Sequence, residues 1–314
     1  MVLELGGNDA YLILKDADLE KAAEACVESR LSNSGQSCIA AKRLIIVENV
    51  YDEFKALVIE KAQSYRMGDP LKKETELGPL ARSDLRDTVH GQVRESIDKG
   101  ALLKAAEACV ESRLSNSGQS CIAAKRLIIV ENVYDEFKAL VIEKAQSYRM
   151  GDPLKKETEL GPLARSDLRD TVHGQVRESI DKGALLETGG EIPESKGFYY
   201  PPTVLSGVRA GQPAFDDEVF GPVIALIRAK DEKHAIEIAN NSKFGLGAAV
   251  FTNDNERGEK IAASELQAGT CVVNTFVKSD PRLPFGGVKH SGYGRELAAE
   301  GIRSFMNVKT VVVD

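Results

Sequence analysis

Positive charge is in short supply. Lysine and arginine number 41 against 48 aspartate and glutamate, giving a formal net charge of −7 and a pI near 5.4. No basic cluster breaks that balance, so a nucleic-acid partner is not expected, because phosphate-binding faces concentrate Lys and Arg. Long apolar runs are also missing. None approaches the roughly 18 residues that span a bilayer, and the Met-Val-Leu-Glu start lacks the basic, apolar, small-residue order of a signal peptide. No membrane partner is expected, and the expected location is cytoplasmic. Cysteine and histidine are scarce: Cys26, Cys38, Cys109, Cys121 and Cys271, with His90, His173, His234 and His290. None stands in CxxC or Cys/His ligand spacing, so no metal site is expected.

What is present is an internal duplication without a single difference. Residues 21–103 recur letter for letter as 104–186. Solenoid repeats have periods of roughly 20 to 50 residues and tolerate drift at surface positions, whereas this 83-residue block has no internal period. One copy belongs to any functional unit, and each residue in it has to be considered twice. With 42% hydrophobic and 28% charged residues the composition is that of a globular chain.

Residues 2–5 and 11–14 read as short strands separated by Gly6, Gly7 and Asn8. A helix follows, capped by Asp16 or Asp18, with Leu19, Ala22, Ala23, Cys26 and Val27 at helical spacing until 32–37 break the pattern. Residues 43–47 form a β-branched strand, 50–65 an amphipathic helix with Phe54, Leu57, Val58 and Ala62 inward, 84–98 a helix and 101–103 the start of a strand. At the seam Leu103 runs into a second copy of the first helix, whereas Leu186 runs into a Thr-Gly-Gly turn, the locally consistent continuation. Downstream, strands at 201–205, 223–227, 247–251 and 270–274 alternate with helices at 231–240 and 255–266. Such alternation indicates an α/β architecture with a largely parallel sheet.

Cys38 and its copy Cys121 each follow Asn-Ser-Gly-Gln-Ser, a run of small polar residues that lets backbone amides approach a ligand. A nucleophilic thiol needs that access and a local positive potential. Lys42 and Arg43 are near in sequence, but an inert thiol fits the residue types equally well. Cys26 and Cys271, on a helix face and in a strand, read as inert. Glu4 ends an apolar strand just before Gly6 and Gly7, where a general base at a sheet's carboxyl edge and an ordinary outward glutamate are both compatible.

Four ordered strings carry more than their parts: LELGG at 3–7, NSGQSC at 33–38, EVFGPV at 218–223 and LPFGGVKHSGYGRE at 283–296. Together they resemble the aldehyde dehydrogenase superfamily, most of all its NAD(P)-dependent succinate-semialdehyde dehydrogenases. The resemblance implies an aldehyde dehydrogenase-like catalytic domain and an oxidoreductase that converts an aldehyde, expected to be succinic semialdehyde, to a carboxylate through a cysteine thioester. It implies Cys38 or Cys121 as nucleophile and Glu4 as the base that activates water. Glu218 would hold the nicotinamide ribose of NAD or NADP, Phe220 would pack beside it, and Leu5 would approach it through its backbone. Phe285 would line the substrate pocket. Ser279 and Arg282, just before Leu283-Pro284-Phe285, are compatible with contact to a substrate carboxylate and at least equally with a solvent-exposed loop. The arginine that such enzymes often carry before the cysteine is represented by Ser32, with Arg30 two residues earlier.

Family members carry a long segment before LELGG. The resemblance therefore implies that the cofactor domain is mostly absent from these 314 residues and that the chain by itself is inactive or nearly so. The expected division is the end of the cofactor domain and start of the catalytic domain at 1–20, copy one at 21–103, copy two at 104–186 and the rest of the catalytic domain at 187–275. A cofactor-side return and assembly tail follows at 276–314, which implies a homo-oligomer. Cys38 keeps the family spacing to Glu4, and Cys121 keeps it to Glu218. A native-like core can leave copy one and rejoin copy two at any equivalent point, and an unstructured excursion of 83 residues costs roughly 4 kcal/mol. Two rival readings are a cofactor-free cysteine esterase and a non-catalytic assembly fragment.

Overall fold

The structure, a computed structural model, describes residues 9–313. The expected strand at 2–5, with Glu4 and Leu5, lies outside them. The chain divides into two units between Glu95 and Ser96.

In the first unit, β1 (Ala10–Ile13) pairs in parallel with β2 (Arg43–Ile46), Ala10 opposite Arg43 and Ile13 opposite Ile46. Helix α1 (Leu19–Leu31) connects them, its first turn capped by Asp18, whose carboxylate accepts the Lys21 N–H at 3.2 Å. Ala23, Cys26 and Val27 are buried at the expected spacing. Helix α2 (Tyr51–Ser64) closes the cluster with Phe54, which is fully buried against Ile13, Ala23 and Cys26. Leu57 and Val58 pack on this cluster, but Ala62 is exposed, contrary to the inward placement expected for it. Its copy Ala145 is fully buried, in a cluster that includes Val204, Ile224 and Leu226, which lie outside the duplicated block.

The largest departure from the sequence reading is at the seam. The expected strand at 101–103 is helical, inside α3 (Ser83–Leu114), a single helix of 32 residues. The same six letters, Asp-Lys-Gly-Ala-Leu-Leu, adopt another structure at 181–186: there α5 (Ser166–Asp181) ends, Gly183 takes φ +98°, and Leu185 and Leu186 enter β4 (Leu185–Thr188). Context decides. Strand β4 pairs antiparallel with β5 (Thr203–Ser206) and runs into Gly189 and Gly190, whereas residues 101–103 run into Lys-Ala-Ala-Glu-Ala, whose helix propensity extends the helix across Gly100 at a cost of about 1 kcal/mol.

The second unit is built on four strands in the order β3-β6-β5-β4, with β3 (Arg126–Val130) and β6 (Val223–Ala229) parallel, β6 and β5 parallel, and β4 antiparallel at one edge. Alternate residues feed two cores. Leu127, Ile129, Val204, Ile224 and Leu226 join Val110, Phe137 and Val141 on one face. Leu205, Val223, Ala225 and Ile227 join Val172, Val176 and Phe215 on the other. Helices α4 (Tyr134–Gln146) and α5 cover these faces, with the single turn α6 (Pro213–Asp216) and α7 (Glu232–Asn240) beside them. A further β-α-β unit has β7 (Gly247–Val250) and β8 (Thr270–Val273) parallel, joined by α8 (Asn255–Ser264), and α9 (Ala298–Arg303) lies near the end. The sheets are thus largely parallel, as expected.

Strand β3 repeats the sequence of β2 but has a different parallel partner. β2 pairs with β1, and β3 pairs with β6. Among the described residues no strand occupies the remaining edge of either. No helix among them is long and apolar enough to cross a membrane.

Candidate functional site

The two Asn-Ser-Gly-Gln-Ser-Cys loops fold alike, so their shape is written locally. Three consecutive residues take left-handed conformations in each: Asn33, Ser34 and Gly35 at φ 51°, 56° and 75°, and Asn116, Ser117 and Gly118 at 51°, 54° and 74°. Asn and Gly accept this region readily, and the strain at serine, on the order of 1 kcal/mol, is offset by hydrogen bonds. Asn116 Nδ2 donates to the Gln119 carbonyl at 2.9 Å, and Ser117 Oγ to the Gly161 carbonyl at 2.8 Å. The Ala164 N–H donates to Gln119 Oε1 at 2.8 Å. The same bonds recur in copy one, from Asn33 to Gln36, Ser34 to Gly78 and Ala81 to Gln36. Both loops end on an exposed cysteine, Cys38 or Cys121.

Copy two goes further because its loop meets residues 218–223. Gly118 lies so close to the Gly221 carbonyl that a Cβ there would overlap it, whereas the nearest atom to a Cβ on Gly35 is the Arg30 carbonyl at 3.2 Å. Arg113, one turn before the loop, is fully buried. Its Nε donates to the Val223 carbonyl at 2.6 Å, and its Nη2 to the carbonyls of Val219, at 2.5 Å, and Gly221. Burial pushes this guanidinium down to about 9, opposed by the Glu218 carboxylate. Arg30, noted from sequence as lying two residues before Ser32, is exposed in copy one, and its counterpart Arg113 is engaged with backbone. Nothing in the sequence marks Arg113 as buried.

Lys125 completes the cluster. Its ammonium donates to the carbonyls of Ser120, Cys121 and Ala123 at 3.0, 2.8 and 3.2 Å, and pairs with Glu218 Oε1 at 3.3 Å. Burial lowers its pKa and so does Arg113, while Glu218 and Cys121 act in the opposite sense. Lys42 makes the same three carbonyl bonds around Cys38, but no ion pair joins it to a carboxylate among the described residues. Cys121, Lys125, Arg113 and Glu218 therefore form one assembly, and Cys38 has no counterpart of it within its own unit.

Phe220 is half-buried beside Glu218. A part-exposed carboxylate that accepts from vicinal hydroxyls, next to an aromatic ring, suits a sugar bearing a flat heterocycle. Phe285 is half-buried and bridges antiparallel to Glu296, with N–H to carbonyl distances of 2.8 and 2.7 Å. Ser279 is exposed. Arg282, weighed with it as a carboxylate ligand, is already paired with Asp280 at 2.6 Å. Cys26 and Cys109 are buried, and burial pushes both thiols up, Cys109 to about 12. Among the described residues no group of three or more His, Cys, Asp or Glu side chains is placed to hold a metal ion.

Comparison with known proteins gives this assembly its context. The model of the aldehyde dehydrogenase family matches residues 1–105 and again 102–311, once through each copy. An aldehyde dehydrogenase of Paenarthrobacter nicotinovorans is 48% identical over 208 residues, 66% of this chain and 45% of the relative. The NAD(P)+ succinate semialdehyde dehydrogenase Sad of Escherichia coli K12 is 47% identical over 210 residues, 67% of this chain and 45% of the relative. Among solved structures, a Mycobacterium tuberculosis aldehyde dehydrogenase complexed with NAD+ superposes with a TM-score of 0.63 at 37% identity, covering 65% of this chain and 42% of the other. The HpcC protein of Thermus thermophilus gives 0.64 at 37% identity, covering 67% and 42%. The chain spans about half the length of the curated relatives it matches.

Proposed function

Since the chain belongs to the aldehyde dehydrogenase family, we propose that its working site is the copy-two assembly, in which Cys121 is the nucleophile for oxidation of an aldehyde, succinic semialdehyde by analogy with Sad. The observation that supports Cys121 over Cys38 is the Lys125 ammonium, bonded at once to the Cys121 carbonyl and to Glu218. The exposed Sγ of Cys121 adds to the aldehyde carbon, giving a tetrahedral oxyanion. Backbone amides of the loop, held rigid by its internal hydrogen bonds, are the groups to stabilise that charge. NAD or NADP, when bound, supplies the hydride acceptor. Glu218 would hold its ribose hydroxyls and Phe220 would pack beside the ring. Water then releases the acyl group from Sγ as a carboxylate, and the general base expected for that step from the LELGG string, Glu4, lies outside the described residues. Arg113 serves by fixing the backbone that carries Glu218 and Phe220.

The test is NAD(P)H formation from succinic semialdehyde by the chain and its Cys38→Ala and Cys121→Ala variants, with a 4-nitrophenyl ester as a cofactor-independent substrate. Turnover lost in Cys121→Ala and kept in Cys38→Ala supports the assignment, and the reverse pattern overturns it. Ester turnover without NAD(P)H formation would favour a hydrolase. Loss of both reactions in the parent chain would favour a non-catalytic role.

A further inference from the structure

We propose that Lys125 is a positioning residue of the Cys121 site, a single ammonium that ties the nucleophile's loop to the Glu218 carboxylate. The inference rests on the assignment of Cys121 as nucleophile. An ammonium has three hydrogens and no acceptor capacity, and four oxygens surround this one: three loop carbonyls at 2.8 to 3.2 Å and Glu218 Oε1 at 3.3 Å. The lysine side chain is 20% exposed, whereas Glu218 is 41% exposed. A carboxylate that open to solvent has other orientations available, and the nearly enclosed ammonium is what holds it toward the cysteine loop.

The duplication supplies the control. Lys42 and Lys125 occupy identical sequences and bind the same loop carbonyls, yet only Lys125 has the carboxylate, because 218–223 is docked against the second copy by Arg113 and Gly118. Folding the loop therefore does not require the ion pair, since the Cys38 loop has the same backbone angles without it. What the pair adds is a fixed relation between the loop and Glu218. The ammonium is also bonded to the Cys121 carbonyl at 2.8 Å, which puts a positive charge at the residue that carries the thiol.

The test reads the thiol directly, so it holds whether or not the chain turns over an aldehyde. In a Cys38→Ala background, the rate of Cys121 alkylation by iodoacetamide is compared for the parent, Lys125→Met, Lys125→Arg, Glu218→Gln and the Lys125→Met/Glu218→Gln double variant, with thermal melting as the check on folding. Lys125→Met is expected to slow alkylation about fivefold, as loss of a nearby unit charge in a partly solvated site would. Lys125→Arg is expected to remain within about twofold of the parent, because it keeps that charge. Glu218→Gln is expected to speed alkylation in the parent background and to have no effect once Lys125 is methionine, because the carboxylate is then no longer held near the loop. An unchanged rate in Lys125→Met, or a Glu218→Gln effect of equal size in both backgrounds, overturns the proposal. Failure of the functional assignment would show separately, as aldehyde or ester turnover surviving in Cys121→Ala.

Discussion

Gly100 and Gly183 occupy the same place in the same hexapeptide, and replacing each by alanine should move stability in opposite directions. Gly100 lies inside α3, where an added Cβ meets no atom within 4 Å. Alanine there removes the glycine penalty of a helix interior, a gain of about 0.5 to 1 kcal/mol. Gly183 takes φ +98°, and an added Cβ would lie 3.1 Å from the Arg209 guanidinium. The flexible arginine tip can yield but the backbone angle cannot, so alanine there should cost about 1 to 2 kcal/mol. Urea unfolding followed by far-UV circular dichroism reads both. With a slope of about 2 kcal/mol per molar, the midpoint should rise by about 0.3 to 0.5 M for Gly100→Ala and fall by about 0.5 to 1 M for Gly183→Ala. Equal losses from both would mean that residues 98–103 also form a turn and strand, and would refute a continuous helix across the seam.

Arg113→Met should destabilise by about 3 to 5 kcal/mol, because three buried carbonyls lose their donor, whereas Arg30→Met at the exposed copy should stay within about 0.5 kcal/mol. Thermal melting of the two variants, which carry the same change in the same sequence, checks the difference. Phe54→Ala should cost about 3 kcal/mol or more and unfold the first unit selectively, seen as early loss of hydrogen-exchange protection in α1 and α2 while residues 126–130 and 223–229 stay protected. Burial holds the Cys109 thiol at about 12 against an ordinary value near 9. Its contribution to stability is therefore complete below about pH 9 and is lost as pH rises from there toward 12, at up to about 1.4 kcal/mol per unit. Between pH 9 and 10 the parent should lose more stability than Cys109→Ala, as measured by urea midpoints.

The regular elements were legible because each carries its own periodicity. The buried alternation of 223–229, the helix ending at Asn240 and the β-α-β unit at 247–273 all lie where their residues place them. The cysteine loops were legible as runs of small polar residues that end the helix, but the three consecutive left-handed residues in each were not read from them. The seam was not legible because residues 101–103 are compatible with two structures, and the choice is made by β5 on one side and by a following helical segment on the other. Ala62 was misplaced because its periodicity is the same as that of Ala145, and what distinguishes them is the packing of copy two with Val204, Ile224 and Leu226, which lie outside the duplicated block. Arg113 and Lys125 went unassigned because the charge of a side chain is written in sequence but its direction is not.

Among the described residues each molecule carries one strand Ala10–Ile13 and two strands of shared sequence, Arg43–Ile46, which pairs with it, and Arg126–Val130, which does not. Exchange within a chain, or between chains, can move the donor from one acceptor to the other but cannot change their ratio. However many molecules assemble, acceptors outnumber donors two to one. A vacancy of this kind is a parity defect: it is created by the duplication itself, and exchange of the Ala10–Ile13 strand among copies of the chain moves it without removing it. Open parallel edges are templates for strand pairing, so each molecule presents such a template wherever its second acceptor stands.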